Sequence, residues 1–226
     1  KIFKNRSNNI ILQAIKYFCE EHEFSIALNY HSYGTWFLYP WGYIDDHTPD
    51  HNIFLNYAII MTSENNYTYG TAGELLYNTN GDANDWMYGE QETKNKIIAF
   101  TPEVGNSGDG FWPSQSRIIP LCQDCMLMNL MAASFTGAYV EMNNESPALC
   151  EQLNSHVKYS VQRLGMAESD NYTIAVEALS GNVSSYGEAI VYDKLPALEV
   201  FHDSIPFSLK PETQEGEEVI FLLSMD

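Results

Sequence analysis

Apolar residues recur at helical spacing over residues 7–20, where Ile10, Ile11, Ala14, Ile15 and Phe18 share one face. Ser7 or Asn8 is the candidate N-cap of this helix. Residues 24–31 alternate instead, with Phe24, Ile26, Leu28 and Tyr30 on one side, which predicts a strand with His31 at its carboxyl end. A helix is expected over 51–64, whereas 66–90 is rich in Gly, Asn, Asp and Tyr and reads as loop. Lys96-Ile97-Ile98-Ala99-Phe100 predicts a buried strand, with Glu103 just beyond it, and Ile118, Ile119, Leu121, Met126, Leu127, Leu130 and Met131 predict a helix over 117–133. This alternation of helices and strands implies an α/β sheet. In open sheets of that kind ligands collect outside the carboxyl ends of the strands, where both His31 and Glu103 fall.

Beyond residue 135 the pattern changes to strand-like runs: Gly137–Met142, His156–Leu164, Tyr172–Leu179, Tyr186–Tyr192, Leu198–Phe207 and Glu218–Ser224. Asn, Ser, Gly, Pro and Glu clusters separate them at even spacing, as in a small β-sandwich. Two domains are therefore expected, 1–136 and 137–226.

Charge narrows the choice of partners. Eleven basic against 30 acidic residues give a net charge of -19, which argues against a nucleic-acid partner, since that needs cations to displace counterions from phosphate. No stretch of about 18 consecutive apolar residues marks a membrane span. The chain opens at Lys1 without a signal-peptide pattern and reads as a fragment or processed product. Four cysteines do not make a disulfide scaffold at this length; Cys122 and Cys125 are expected to be small core residues of one helix. The acidic turn 212–218 reads as solvated.

Three ordered motifs carry the chemistry. Asn29-Tyr30-His31-Ser32-Tyr33-Gly34 leads to Leu38-Tyr39-Pro40-Trp41-Gly42-Tyr43; Tyr69-Gly70 is followed by Leu75-Leu76-Tyr77, Gly81 and Asn84-Asp85-Trp86-Met87-Tyr88; and Phe100-Thr101-Pro102-Glu103 precedes Gly110-Phe111-Trp112-Pro113. Together they resemble the carboxyl-terminal part of the catalytic domain of zinc carboxypeptidases related to pancreatic carboxypeptidases A and B, in a version that looks bacterial at residues 102–105. The resemblance implies the mixed-sheet α/β fold of the zinc carboxypeptidases (phosphorylase/hydrolase-like) and a secreted or periplasmic enzyme. Its substrates would be the C-termini of peptides or proteins, and it would hold one catalytic zinc.

By that resemblance His31 is a zinc ligand and Glu103 the general base that takes a proton from a metal-activated water and passes it to the leaving amine. Tyr77 caps the substrate carboxylate, Tyr33 lines the groove, and Asn84 occupies the floor of the specificity pocket. A neutral polar residue there fits neither the aliphatic version, which takes apolar side chains, nor the acidic one, which takes Lys or Arg. A catalytic zinc needs three protein ligands, and the family's first two come from an upstream His-x-x-Glu. None of the six histidines here has Glu three positions later, so residues 1–226 alone are expected to be inactive. His47-Thr48-Pro49-Asp50-His51 reads as a surface loop, and Arg6 is not assigned a substrate-binding role. Two other readings stay open: a non-catalytic relative that binds peptide or glycan, and a metallo-amidase of the same superfamily.

Overall fold

A computed structural model describes residues 10–169 and 171–226; the candidate caps Ser7 and Asn8, and Arg6, lie outside the described residues. The chain divides into two compact units, one ending at Thr136 and the other spanning Gly137–Asp226.

The first unit is mixed α/β. Helix α1 (Ile10–Glu21) leads to β1 (Ile26–Leu28), β2 (Trp36–Tyr39), α2 (His51–Met61), β3 (Thr68–Thr71), α3 (Ala72–Leu75), α4 (Ala83–Gly89) and β4 (Ile98–Glu103). Two further helices, α5 (Ile118–Asp124) and α6 (Met126–Phe135), complete it. The sheet order is β1-β4-β2-β3. β1 runs parallel to β4 with Ile26 opposite Ile98 and Leu28 opposite Phe100, β2 is antiparallel to β4, and β3 is parallel to β2. Phe37, Tyr39, Phe54 and Phe100 pack ring against ring in the core, and Tyr57 stacks on Phe135 at 4.1 Å.

Several expectations change here. The region 66–90 is not simply loop. Thr68–Thr71 pairs with β2 through a short strand, and Thr71 and Glu74 form a reciprocal capping box that starts the single turn of α3. Asp82 caps α4 by accepting from the Asn84 backbone N–H at 2.8 Å. The helix expected over 117–133 breaks at Cys125, preceded by a 3-10 turn at Gln115–Arg117. That break separates the two cysteines: Cys125 is buried, Cys122 is exposed and both are free, so only one is a core residue. Gln115–Phe135 is also long and apolar enough, by length and composition, to cross a membrane, although it is no uninterrupted apolar run. In this fold Met128, Met131 and Phe135 enter the unit's core. The apolar face of α1 is turned outward, with Ile10, Ile11, Ile15 and Phe18 exposed; Cys19 is its buried residue.

The second unit is all-β: β5 (Val140–Asn144), β6 (Asn154–Arg163), β7 (Tyr172–Ala178), β8 (Val183–Tyr186), β9 (Ile190–Tyr192), β10 (Val200–Leu209) and β11 (Phe221–Met225). They form a four-stranded sheet ordered β5-β6-β10-β8 and a three-stranded sheet ordered β11-β7-β9. Val157, Tyr159 and Val161 of β6, Ile205, Phe207 and Leu209 of β10, and Tyr172, Ile174 and Val176 of β7 contribute alternate residues to one shared core. The run expected as one strand at 186–192 is two, belonging to different sheets. The chain leaves the first sheet at Gly187, where a Cβ would lie 2.9 Å from the Pro206 ring.

Candidate functional site

The site forms where β1 and β4 end. Beyond Leu28 the parallel pairing continues: Asn29 N–H donates to Phe100 O at 2.8 Å, His31 N–H to Pro102 O at 2.9 Å, and Val104 N–H to His31 O at 2.9 Å. His31 is thereby bridged directly to Glu103. On the other side Glu103 sits opposite Trp36 of β2, and its carbonyl accepts from Thr35 N–H at 2.8 Å. With backbone partners on both flanks, the glutamate is held on rigid sheet, and it ends β4 rather than lying past it.

The two side chains have different surroundings. His31 Nδ1 is 3.9 Å from Glu103 Oε1; the imidazole is 66% exposed and the carboxylate 14%. Burial pushes the Glu103 carboxyl above the ordinary glutamate value, and the nearby imidazole partly opposes that. A carboxyl with raised proton affinity at a strand end is suited to accept and return a proton.

Tyr33 belongs to this end of the sheet and meets Phe111 edge-on at 4.9 Å. Phe111 and Trp112 lie on a loop after β4 that is pinned by Asp109, whose carboxylate receives Arg117 Nε at 2.6 Å and the Asn106 N–H at 3.1 Å. The guanidinium holds the Asp109 carboxyl below its usual range. Tyr77 follows α3 and is 70% exposed, with no hydrogen bond or ring contact joining it to His31 or Glu103 among the described residues. Asn84 is buried. Its Oδ1 accepts from Asn29 Nδ2 at 2.7 Å, and its Nδ2 donates to Thr101 Oγ1 at 2.9 Å. Asn29 and Thr101 stand in the motifs without a role of their own. Alternation marks both, since each stands two residues before His31 or Glu103 on the same strand face.

Asp85 supports the site from behind. Its carboxylate accepts Gly42 N–H at 2.8 Å and Tyr43 N–H at 3.2 Å, fixing the segment after β2 to α4. Burial raises its pKa to about 6, against the lowering effect of the Gly42 hydrogen bond. The folded state therefore binds this proton more tightly than the unfolded chain, so protonation adds stability as pH falls through about 6, until the unfolded carboxyl titrates as well. Asp85→Asn removes that contribution. The stability difference between wild type and variant should widen in favour of wild type between pH 7 and pH 4. Urea unfolding at a series of pH values measures it, and a pH-independent difference would refute the assignment.

His47 and His51 are more organised than a plain surface loop. Their rings stack in parallel at 3.7 Å, and His47 Nε2 lies 3.1 Å from Glu74 Oε1. Among the described residues, however, no group of three or more His, Cys, Asp or Glu is arranged to hold a metal ion. His31 offers a single imidazole, and the side chains described do not by themselves fit a catalytic zinc.

Residues 4–128 match the family model described as zinc carboxypeptidase. The chain belongs to the zinc carboxypeptidase family. Mast cell carboxypeptidase A of Rattus norvegicus is 33% identical over 136 residues, 57% of this chain and 31% of that protein. Carboxypeptidase A1 of Bos taurus is 31% identical over 147 residues (60% and 34%), and carboxypeptidase B of Astacus astacus 29% over 102 (42% and 33%). The chain thus spans about a third of the length of the curated relatives it matches. Among solved structures, bovine thrombin-activatable fibrinolysis inhibitor in complex with tick carboxypeptidase inhibitor is similar at 25% identity with a TM-score of 0.43, covering 55% of this chain and 43% of that one. The zinc carboxypeptidase match ends at residue 128, inside α6 and before the all-β unit begins.

Proposed function

We propose that residues 1–136 are the carboxyl-terminal part of a zinc carboxypeptidase catalytic domain that removes C-terminal residues from peptides, followed by a β-sandwich accessory domain. The observation that carries this reading is the His31–Glu103 bridge, which fixes an exposed imidazole and a largely buried carboxylate side by side at parallel strand ends. Glu103 takes the proton of the attacking water and returns it to the departing amine. Tyr33 and Phe111 form an aromatic wall for the chain of the substrate, Tyr77 is free to close over its carboxylate, and Asn84 meets its terminal side chain. In the complete domain a zinc ion would supply Lewis-acid chemistry, with His31 as one of its ligands. Secretion is part of the same proposal.

The remaining metal ligands are assigned to sequence upstream of this chain. The exposed apolar side chains of α1 and the edge of β1, unpaired among the described residues, support that view, because such surfaces suit cover by further structure. Residues 1–226 supplied with zinc should release no C-terminal residue from a peptide panel followed by mass spectrometry, while the full-length protein should. Turnover by residues 1–226 alone would overturn the incomplete-site assignment. A zinc-loaded full-length protein that binds peptides without cleaving them would overturn the enzymatic reading in favour of a binding module.

A further inference from the structure

Side chains form two successive rows across the ends of β1 and β4. His31 and Glu103 make the outer row. Asn29 and Thr101 stand two residues earlier on each strand and so share that face one pleat deeper; the register of Leu28 with Phe100 sets them side by side. Asn84 of α4 lies across this inner row, joined to Asn29 at 2.7 Å and to Thr101 at 2.9 Å, although these residues are 55 and 17 positions away from it in sequence. A group that extends inward past Glu103 along this face meets three neutral polar side chains.

The two nearby acids already accept hydrogen bonds from other groups. Asp82 accepts the Asn84 backbone N–H at 2.8 Å and the Thr79 hydroxyl at 3.2 Å. Asp85 accepts two backbone N–H groups from Gly42 and Tyr43. The amides keep some capacity. Asn29 gives its Nδ2 to Asn84 and to Met87 Sδ, while its Oδ1 accepts no hydrogen bond among the described residues. Asn84 donates through Nδ2 to Thr101, which leaves the second hydrogen of that amide. The row thus presents one acceptor, Asn29 Oδ1, and two donors, the second Asn84 N–H and the Thr101 hydroxyl, which a carboxamide can satisfy with its NH2 and the two lone pairs of its C=O.

We infer that Asn29, Asn84 and Thr101 select a substrate whose C-terminal side chain is a neutral carboxamide, Gln or Asn, over aliphatic, aromatic and basic residues. The inference rests on the carboxypeptidase reading above. An aliphatic or aromatic side chain would leave these polar groups desolvated and unpaired. A Lys or Arg would bring a charge among neutral groups, while the carboxylates of Asp82 and Asp85 already accept from Asn84, Thr79, Gly42 and Tyr43.

The test uses the full-length protein and one peptide body ending in Gln, Asn, Leu, Phe or Lys. With the wild type, kcat/KM for Gln or Asn should exceed that for Leu, Phe and Lys about tenfold or more. Asn84→Leu should reverse the order towards Leu and Phe. Binding gives a second readout that does not require turnover: in Glu103→Gln, calorimetric Kd values should rank the peptides the same way. Equal or stronger hydrolysis and binding of the Leu, Phe or Lys peptides by proteins with Asn84 intact would overturn the selectivity. If Glu103→Gln binds Gln peptides preferentially while the zinc-loaded wild type cleaves none, the selectivity stands and the peptidase reading falls.

Discussion

Glu103→Gln in the full-length protein should lower kcat by about 10²–10⁴-fold and leave KM within a few-fold of wild type. General acid–base catalysis by one positioned group contributes about that much, and the substitution keeps the shape of the side chain while removing its capacity to take a proton. The geometry favours a clean result. Glu103 is flanked by His31 and Trp36 through the backbone, so the amide should occupy the carboxylate's place. Steady-state kinetics on a peptide substrate, with circular dichroism to establish that the fold is kept, gives the answer. A kcat within threefold of wild type would remove Glu103 from the mechanism.

The second large effect concerns stability. Phe100 is fully buried between Ala99 and Thr101 on β4; it stacks on Phe37 at 4.7 Å and meets Phe54 at 5.3 Å and Tyr39 at 6.4 Å. Phe100→Ala removes a ring to which three others are fitted, and such truncations cost about 3–5 kcal/mol. For a unit of this size that corresponds to a loss of roughly 10–18 °C in Tm. The all-β unit has its own core, from Val140 to Leu209 with β11 packed against it, so its transition should not move. Differential scanning calorimetry separates the two outcomes. A loss below about 1 kcal/mol would mean that the ring cluster relaxes around the gap.

The strand ends were legible because burial writes itself into sequence there. Ile97 to Phe100 is a buried run, and 24–31 alternates, so the positions of His31 and Glu103 at carboxyl ends followed from pattern alone. The short elements were not legible. Trp36–Tyr39 is four residues with Phe37, Leu38 and Tyr39 all buried, which erases alternation, and Thr68–Thr71 is a strand only because β2 lies beside it. The outward face of α1 shows the converse. Its periodicity correctly marks a helix but says nothing about whether a partner covers the stripe. Asn84 was placed by motif, whereas its role as a cross-link to Asn29 and Thr101 depends on contacts between distant positions that a linear reading does not contain.

The pairing of β1 with β4 has a consequence for how this protein can vary. Asn29, His31, Thr101 and Glu103 all face the same way only because each strand keeps its count of residues. Adding or deleting one residue within either strand would turn two of the four to the opposite face together. On the proposed roles, chemistry and side-chain preference are geared to one another like teeth on a common rack. On that reading new specificities would come from exchanging Asn29, Asn84 or Thr101 in place, and changes of length would be confined to the loops beyond the strand ends.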